Sequence, residues 1–200
     1  MSDRMLMIER ALWAEGYSHV AGVDEVGRGA LAGPVVAGAV ILSKGTFIPG
    51  VDDSKKLRPS GREAAYRIIR EKALAVGVGI CDPETIDRMN ILHAALEAMR
   101  RAVEALDSAP SFLLVDGNRC FPNCELPFRT VVGGDAKSHS IAAASIIAKV
   151  TRDRLMRDLH RQYPDYGWNT NVGYPTQAHY AGLEVVGPSL HHRRSFRLAK

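Results

Sequence analysis

Acidic residues follow apolar stretches at three places in this sequence, and their types and spacing could support chemistry. They are the pair Asp24-Glu25, then Asp116, then Asp135. Aspartate and glutamate are depleted in β-strands, and functional groups of α/β sheets collect at strand ends and in the loops that follow. A helix cap, a turn or a salt bridge would explain any single one of these acids. The joint pattern indicates a shared role.

Carboxylates gathered without histidine or cysteine are the ligands that hard divalent cations prefer, so the expected metal is Mg²⁺ or Mn²⁺ rather than zinc. Clustered like charges repel one another, at a cost on the order of 1 kcal/mol for each close pair near a protein surface. A bound dication removes that repulsion. Two such ions about 4 Å apart would activate a water molecule and stabilise the leaving oxygen in cleavage of a phosphodiester bond.

The elements that must position these acids follow from the apolar pattern. Apolar runs predict five strands, over residues 20–25, 34–42, 73–81, 111–116 and 128–132. Helices are predicted from a capping box at Ser60 and Glu63, from the N-cap Asp82, and over 90–106, 138–163 and 176–183. The short connection between the first two strands favours antiparallel neighbours, and helices between the later strands favour parallel ones. The predicted fold class is α/β.

The stretch at residues 22–29 (GVDEVGRG) resembles the opening signature of the ribonuclease HII family. The likeness continues in the order of that family through residues 53–57 (DSKKL), 91–93 (ILH), 116–118 (DGN), 142–150 (AAASIIAKV), 173–176 (GYPT) and 191–196 (HHRRSF). One of these blocks alone is suggestive. All of them together are specific, and they cover the chain from about Val20 to Phe196.

The resemblance implies a ribonuclease-H-like fold: a mixed five-stranded sheet flanked by helices, with a helical C-terminal extension. We expect a catalytic domain over residues 1–165 and a small substrate-binding extension over residues 166–200. The implied enzyme is an endonuclease that cleaves the RNA strand of RNA–DNA hybrids and cleaves at single ribonucleotides embedded in duplex DNA. Cleavage in this family uses two metal ions and leaves 3′-hydroxyl and 5′-phosphate ends. The expected partners are these nucleic acids.

Four acids form the catalytic and metal site of that family, and the matching positions are Asp24, Glu25, Asp116 and Asp135. The family usually has Lys-Gly-Asp where this chain has Gly133-Gly134-Asp135. Asp153 is the rival for the fourth position. It lies inside a predicted helix, however, where a salt bridge on the helix face explains it.

Gly27-Arg28-Gly29 matches the family's junction-sensing loop. Glycines let the main chain approach a sugar closely, and its N–H and C=O groups can bind the 2′-hydroxyl that distinguishes RNA from DNA. Tyr174 matches a tyrosine that packs against the deoxyribose after the ribonucleotide; the alternative is a loop tyrosine that fills a gap in the core. Val172 stands where family members often carry a basic residue. Further expected contacts with nucleic acid are Ser54, Lys55, Lys56, Arg193 and Arg194.

The composition fits one ordinary globular domain with a small appendage. The formal charge of +4 weakly favours an anionic partner, and bases outnumber acids from Lys149 onward, as along a phosphate backbone. An odd count of three cysteines argues against a disulfide framework. Apolar runs are too short for a signal peptide or a membrane span. We therefore expect a cytoplasmic monomer with free thiols.

Two other functions stay open at this point. Another nuclease with the same fold, such as a junction resolvase, would use a similar carboxylate cluster but would need neither the glycine loop nor Tyr174. A catalytically silent binder of RNA–DNA hybrids would be expected to have lost at least one of the four acids. The choice between Mg²⁺ and Mn²⁺, the preference for single ribonucleotides over long hybrids, and the role of residues 1–17 are open as well.

Overall fold

The computed structural model describes residues 2–51 and 57–199. Three of the predicted nucleic-acid contacts, Ser54, Lys55 and Lys56, lie outside the described residues. The strands are β1 (Val20–Val26), β2 (Val35–Ile41), β3 (Ala75–Cys81), β4 (Phe112–Asp116) and β5 (Phe128–Val131). The helices are α1 (Ser2–Met5), α2 (Met7–Ala14), α3 (Pro59–Lys72), α4 (Pro83–Met89), α5 (Ile91–Glu104), α6 (His139–Gln162), α7 (Trp168–Asn171) and α8 (Gln177–Val186), with 3₁₀ turns at Gly134–Ala136 and Pro164–Tyr166.

The five strands form one mixed sheet in the order β3-β2-β1-β4-β5. β1 and β3 both pair antiparallel with β2, whereas β1, β4 and β5 run parallel. The predicted arrangement, antiparallel at the start and parallel later, is confirmed. Because β1 and β4 are parallel neighbours, their C-terminal ends lie at the same edge of the sheet.

Helices cover both faces of the sheet, which explains why β2 is buried along its whole length. One core cluster joins α5 to alternate residues of β1, β2 and β4, and a second joins α3 and α6 to the opposite face of β2. The helix α6 lies very close to β1. A Cβ atom added at Gly22 would lie 2.0 Å from the carbonyl carbon of Ser140, so only glycine permits this approach.

The N-terminal residues, whose role the sequence left open, form helices that hold the start of α6. Leu12 is fully buried, and Glu9 is 2 % exposed. One carboxylate oxygen of Glu9 accepts hydrogen bonds from the Ser138 hydroxyl (2.6 Å) and from the Ser140 N–H (3.0 Å) and hydroxyl (2.8 Å). Since Ser138 is the N-cap of α6, a negative charge at this helix end is favourable.

The helix α3 differs from its prediction at its start. It begins at Pro59 after the N-cap Arg58, whose side chain makes no capping hydrogen bond, so the predicted capping box at Ser60 is wrong. Proline at the first helical position has the backbone angle that a helix start needs. Glu63 instead forms ion pairs with Arg154 and Arg157 of α6. The predicted N-cap Asp82 is confirmed, because its carboxylate accepts the N–H of Thr85 at 2.8 Å.

The C-terminal residues form the predicted helical extension. Tyr166 and Trp168 are buried in a cluster with Ala32 and Met156, which precede the extension in the chain. The boundary between residues 165 and 166 stays a prediction. Across the described residues, no helix has both the length and the apolar character needed to cross a membrane.

Candidate active site

The acids of β1 and β4 meet at the edge of the sheet where these two strands end. Asp24 is 7 % exposed, and Glu25 and Asp116 are half-buried. The acidic cleft, as we call it, is lined by Asp24, Glu25, Val26, Asp116, Ser145, Lys149 and Tyr174. A neighbouring depression shares Glu25 and Asp116 and continues past Arg28, Asn118 and Arg119 to α5. The predicted convergence of these three acids is therefore present in the structure.

The negative charges in the acidic cleft repel one another. Burial raises the pKa of Asp24 well above its ordinary value, and the negative charges of Glu25 and Asp116 raise it further. Hydrogen bonds from Ser145 and from the Glu25 N–H (2.8 Å) oppose this change. Burial also raises the pKa of Glu25, and the Arg28 guanidinium opposes it from 3.3 Å. A cation that neutralises these carboxylates together would therefore stabilise their charged forms.

Asp135 lies beside this cluster, on the 3₁₀ turn that follows β5, and is 6 % exposed. The N–H of its neighbour Gly134 donates to the Asp116 carboxylate at 2.6 Å, which attaches the turn directly to Asp116. Gly133 has a φ of 65°, in the left-handed region that glycine favours. Of the described residues that line the acidic cleft, none belongs to this turn, so the catalytic role of Asp135 stays a prediction.

The donor set fits a hard divalent cation. Asp24, Glu25 and Asp116 offer only oxygen ligands, and their mutual repulsion favours an ion of charge +2. No three Asp, Glu, His or Cys side chains within residues 2–51 and 57–199 enclose an ion as they stand. A metal held here would therefore need some of its ligands from water or from substrate, as Mg²⁺ commonly does.

Asp153, the rival for the fourth acid, forms an ion pair with Lys149 one turn earlier on α6, at 2.8 Å. The predicted salt bridge on the helix face is therefore confirmed. Sequence reasoning missed Ser145 and Lys149 as residues of the acidic cleft. Both lie in the block 142–150 and are four residues apart, so that they share one face of α6. That spacing was the signal available for them.

The glycine loop (residues 27–29) lies next to Tyr174. A Cβ atom at Gly29 would lie 3.8 Å from Cε1 of Tyr174 with no other neighbour within 4 Å. The Leu31 N–H donates to the carbonyl of Gly173 at 2.8 Å. Tyr174 itself is half-buried and lines the acidic cleft. The loop, the tyrosine and the acids are therefore brought together, and their contacts with nucleic acid stay predictions.

The predicted basic contacts have different surroundings. Arg28 is exposed beside Glu25. Arg194 is exposed too, and its main-chain N–H donates to Asp87. Arg193 is fully buried, and its guanidinium donates to main-chain carbonyls. The prediction that Arg193 contacts phosphate is therefore wrong, because no part of its side chain is open to a ligand.

A mixed five-stranded sheet that is covered by helices on both faces and carries acids at the ends of two parallel neighbours is the arrangement expected of the ribonuclease-H-like class. The family model of ribonuclease HII matches residues 21–199 of this chain. The chain therefore belongs to the ribonuclease HII family. Members of this family are ribonucleases H, which are hydrolytic nucleases, and the chain is an enzyme of this kind.

Individual relatives agree with this assignment. The chain is 54 % identical over 197 residues to the ribonuclease HII of Salinibacter ruber, with 97 % of this chain and 98 % of that protein covered. The solved ribonuclease H2 of Pyrococcus horikoshii is 30 % identical, with a TM-score of 0.75 over 90 % of this chain and 95 % of that one. The RNase HII in the PCNA:RNase HII complex from Archaeoglobus fulgidus is 27 % identical, with a TM-score of 0.77 over 91 % and 96 %. The predicted ribonuclease-H-like fold is confirmed.

Proposed function

We propose that this ribonuclease H acts, as a monomer, on the RNA strand of RNA–DNA hybrids and on single ribonucleotides embedded in duplex DNA. Cleavage leaves 3′-hydroxyl and 5′-phosphate ends. One observation carries the proposal: Tyr174 lines the same cleft as Asp24, Glu25 and Asp116, with the glycine loop beside it. A general nuclease of this fold would need the acids alone.

The ribonuclease H family depends on divalent metals. In the proposed site Asp24, Glu25, Asp116 and Asp135 would hold two Mg²⁺ or Mn²⁺ ions. Such ions supply activation of a water molecule and stabilisation of the leaving 3′-oxygen. The arrangement of charges supports this role, because burial and then neighbouring carboxylates raise the pKa of Asp24 and Glu25, and a bound cation would offset both effects.

The chain orients its carboxylates through hydrogen bonds from neighbouring groups. Asp116 accepts the N–H of Gly134 at 2.6 Å, and Asp24 accepts hydrogen bonds from Ser145 and from the Glu25 N–H. Each carboxylate has lone pairs beyond these bonds, which are available to a cation. Fixed orientation of ligands is what a catalytic metal site requires of its surroundings.

Selection of the RNA strand falls to the glycine loop and Tyr174. Main-chain groups of the loop hydrogen-bond the 2′-hydroxyl, and the Tyr174 ring packs on the next deoxyribose, where a 2′-hydroxyl would be left without a partner. Since Tyr174 belongs to residues 166–200, this segment is the substrate-binding extension. Arg28 and Arg194, together with residues 54–56, contact phosphates.

The test uses a labelled DNA duplex that carries one ribonucleotide, incubated with and without Mg²⁺ beside an all-DNA duplex. We expect metal-dependent cutting on the 5′ side of the ribonucleotide and an intact control. Cutting of long hybrids only would remove the junction-sensing role of the loop. Preferred cutting of a four-way DNA junction would indicate a resolvase, and tight hybrid binding without any turnover would indicate a silent binder.

A further inference from the structure

Two arginines lie behind the glycine loop, and both are fully buried: Arg152 and Arg193. Within the described part of the chain, neither forms an ion pair with a carboxylate. A buried cation is costly unless hydrogen bonds replace its hydration. Both guanidinium groups obtain these bonds from main-chain carbonyls. Each arginine therefore fixes the main-chain segments that it contacts.

Arg193 spans the two ends of the loop that contains Arg28. Its Nη1 donates to the carbonyl of Arg28 at 2.9 Å, and its Nε and Nη2 donate to that of Gly33 at 3.0 Å each. Nη2 also donates to Pro34 at 3.2 Å, and the Arg193 N–H donates to the Leu31 carbonyl at 2.9 Å. A guanidinium is planar and rigid, so these bonds fix the separation of the carbonyls they join.

Arg152 binds the far end of the same loop and connects it to Tyr174. It donates to the carbonyls of Pro34 (2.9 Å), Ala32 (3.1 Å) and Val172 (2.8 Å), and its guanidinium carbon lies 5.4 Å from the centre of the Tyr174 ring. Arg152 also belongs to α6, which carries Ser145 of the acidic cleft. Arg193, in contrast, lies in a terminal segment outside the acidic cleft, so its effect on the loop can be separated from the acids.

We propose that Arg193 is a positioning residue for ribonucleotide recognition: through the carbonyls of Arg28 and Gly33 it holds the glycine loop at a fixed distance from Tyr174. This inference rests on the recognition role that the proposed function gives to the loop. A DNA duplex with a single ribonucleotide offers one 2′-hydroxyl, so the enzyme can recognise it in only one position along the strand. A long hybrid offers a 2′-hydroxyl at every register, so a displaced loop costs less there.

Arg193→Lys keeps the charge but replaces the planar fork with a point donor that cannot join Arg28 to Gly33. We expect kcat/KM on the single-ribonucleotide duplex to fall by about 10-fold to 100-fold, the scale for small displacements of a recognition element. On a continuous hybrid of equal length the fall is within about 3-fold. Arg193→Gln should exceed the lysine variant in effect. The control is Arg70→Gln, because Arg70 is an exposed arginine at the end of α3.

Hydrogen exchange on the same variants supplies a second readout. We expect faster exchange in peptides that cover residues 27–33 and unchanged exchange in β4. Unchanged substrate selectivity in a folded Arg193→Lys variant would overturn the inference. So would equal losses on both substrates with faster exchange throughout the chain, since that pattern indicates general destabilisation. If the unmodified enzyme does not cut the single-ribonucleotide duplex, the proposed function fails and this inference fails with it. If the glutamine variant does not fold, the lysine variant decides.

Discussion

The acidic cleft and the arginine pair, Arg152 and Arg193, both gather like charges, yet they are neutralised in opposite ways. The acids face a cleft, and burial, followed by the charges of neighbouring carboxylates, raises the pKa of Asp24 and Glu25. The arginines are buried; burial, and then the charge of Arg152, lowers the pKa of Arg193 to about 9. Carbonyl dipoles from the loop compensate the arginines from within. The acids are compensated only in part by Ser145, Arg28 and main-chain N–H groups, because the pKa values of Asp24 and Glu25 remain raised, so a further cation would come from outside.

Accessibility to solvent, rather than residue type, distinguishes the charged side chains of this molecule that can bind a ligand from those that hold the main chain in place. Asp24 is nearly as buried as Arg193, but it lines a cleft of about 390 Å³. Arg193 has a guanidinium group that could bind phosphate, but its side chain is buried where a phosphate cannot reach it. Charged clusters with a path to solvent are expected to carry activity, and those without one are expected to carry stability.

The largest expected effect is on the acidic side. Asp116→Asn should reduce cleavage by more than about 1000-fold, because it removes a charge from the metal site and several kcal/mol of transition-state stabilisation with it. Binding of a single-ribonucleotide duplex should stay within about 3-fold. Gel assays of cleavage and fluorescence anisotropy of binding measure the two. Asp107→Asn, an exposed acid shortly before β4, is the control, and undiminished cutting by Asp116→Asn would contradict the site.

On the arginine side the expected effect is on stability. Arg152→Met leaves the carbonyls of Ala32 and Val172 without their arginine donor and removes one of the two donors to the Pro34 carbonyl, the other being Arg193. Each buried unsatisfied carbonyl costs about 1–3 kcal/mol, and relaxation recovers part of it, so the free energy of unfolding should fall by about 3 kcal/mol. Arg157→Met, which loses only an exposed ion pair with Glu63, should cost less than about 1 kcal/mol. Urea unfolding measures both. Equal losses would show that burial of the guanidinium has no special role.

Much of the fold followed from the sequence because its apolar runs have unambiguous lengths and ends. β4 ends at Asp116, β1 ends at Val26 directly after Asp24 and Glu25, and Asp82 caps α4 as predicted. The capping box at Ser60 failed because two sequence signals overlap there, and Pro59 takes the first helical position. Local patterns predict elements well when a single signal defines each end.

The site was less accessible to sequence reasoning where contacts are distant in the chain. Arginine is usually exposed, so nothing local indicated that Arg193 turns inward to carbonyls some 160 residues away. Glu9 presents the same difficulty, because its partners Ser138 and Ser140 come after the sheet is complete. The partners of such residues are determined by tertiary packing and not by the local sequence.

A buried histidine pair extends the comparison to a cluster whose charge depends on pH. His179 Nε2 lies 3.0 Å from His192 Nε2 and accepts the indole N–H of Trp168 at 3.1 Å. His179 Nδ1 lies 3.0 Å from the Tyr174 carbonyl, and the Ser189 N–H donates to His192 Nδ1 at 3.0 Å. This pattern requires both rings to be neutral. Burial lowers both pKa values, and that of His192 falls to about 4.

Protonation should therefore destabilise the fold. Between the ordinary pKa of 6.5 and about 4, the unfolded chain binds a proton that folded His192 does not, so stability is full above pH 6.5 and falls as the pH falls. We expect a loss on the order of 2 kcal/mol from this residue. Urea unfolding at pH 7.5 and pH 5 measures it. His192→Asn should show a smaller pH dependence than the unmodified chain, whereas exposed His93→Asn should show the same one. A pH dependence unchanged by His192→Asn would count against the neutral pair.

The smallest expected effect tests the comparison from the acidic side. Asp24→Asn removes one charge from a cluster that repels itself, so without divalent metal the variant should be more stable than the unmodified protein by about 1 kcal/mol. Added Mg²⁺ should stabilise the unmodified protein more than the variant, because ligand binding to the folded state adds to its stability. Thermal unfolding with chelator and with Mg²⁺ measures the difference, with Asp158→Asn, an exposed acid paired with Arg161, as control. If Asp24→Asn is the less stable protein in chelator, the carboxylate is compensated from within, as the arginines are, and the contrast between the two regions disappears.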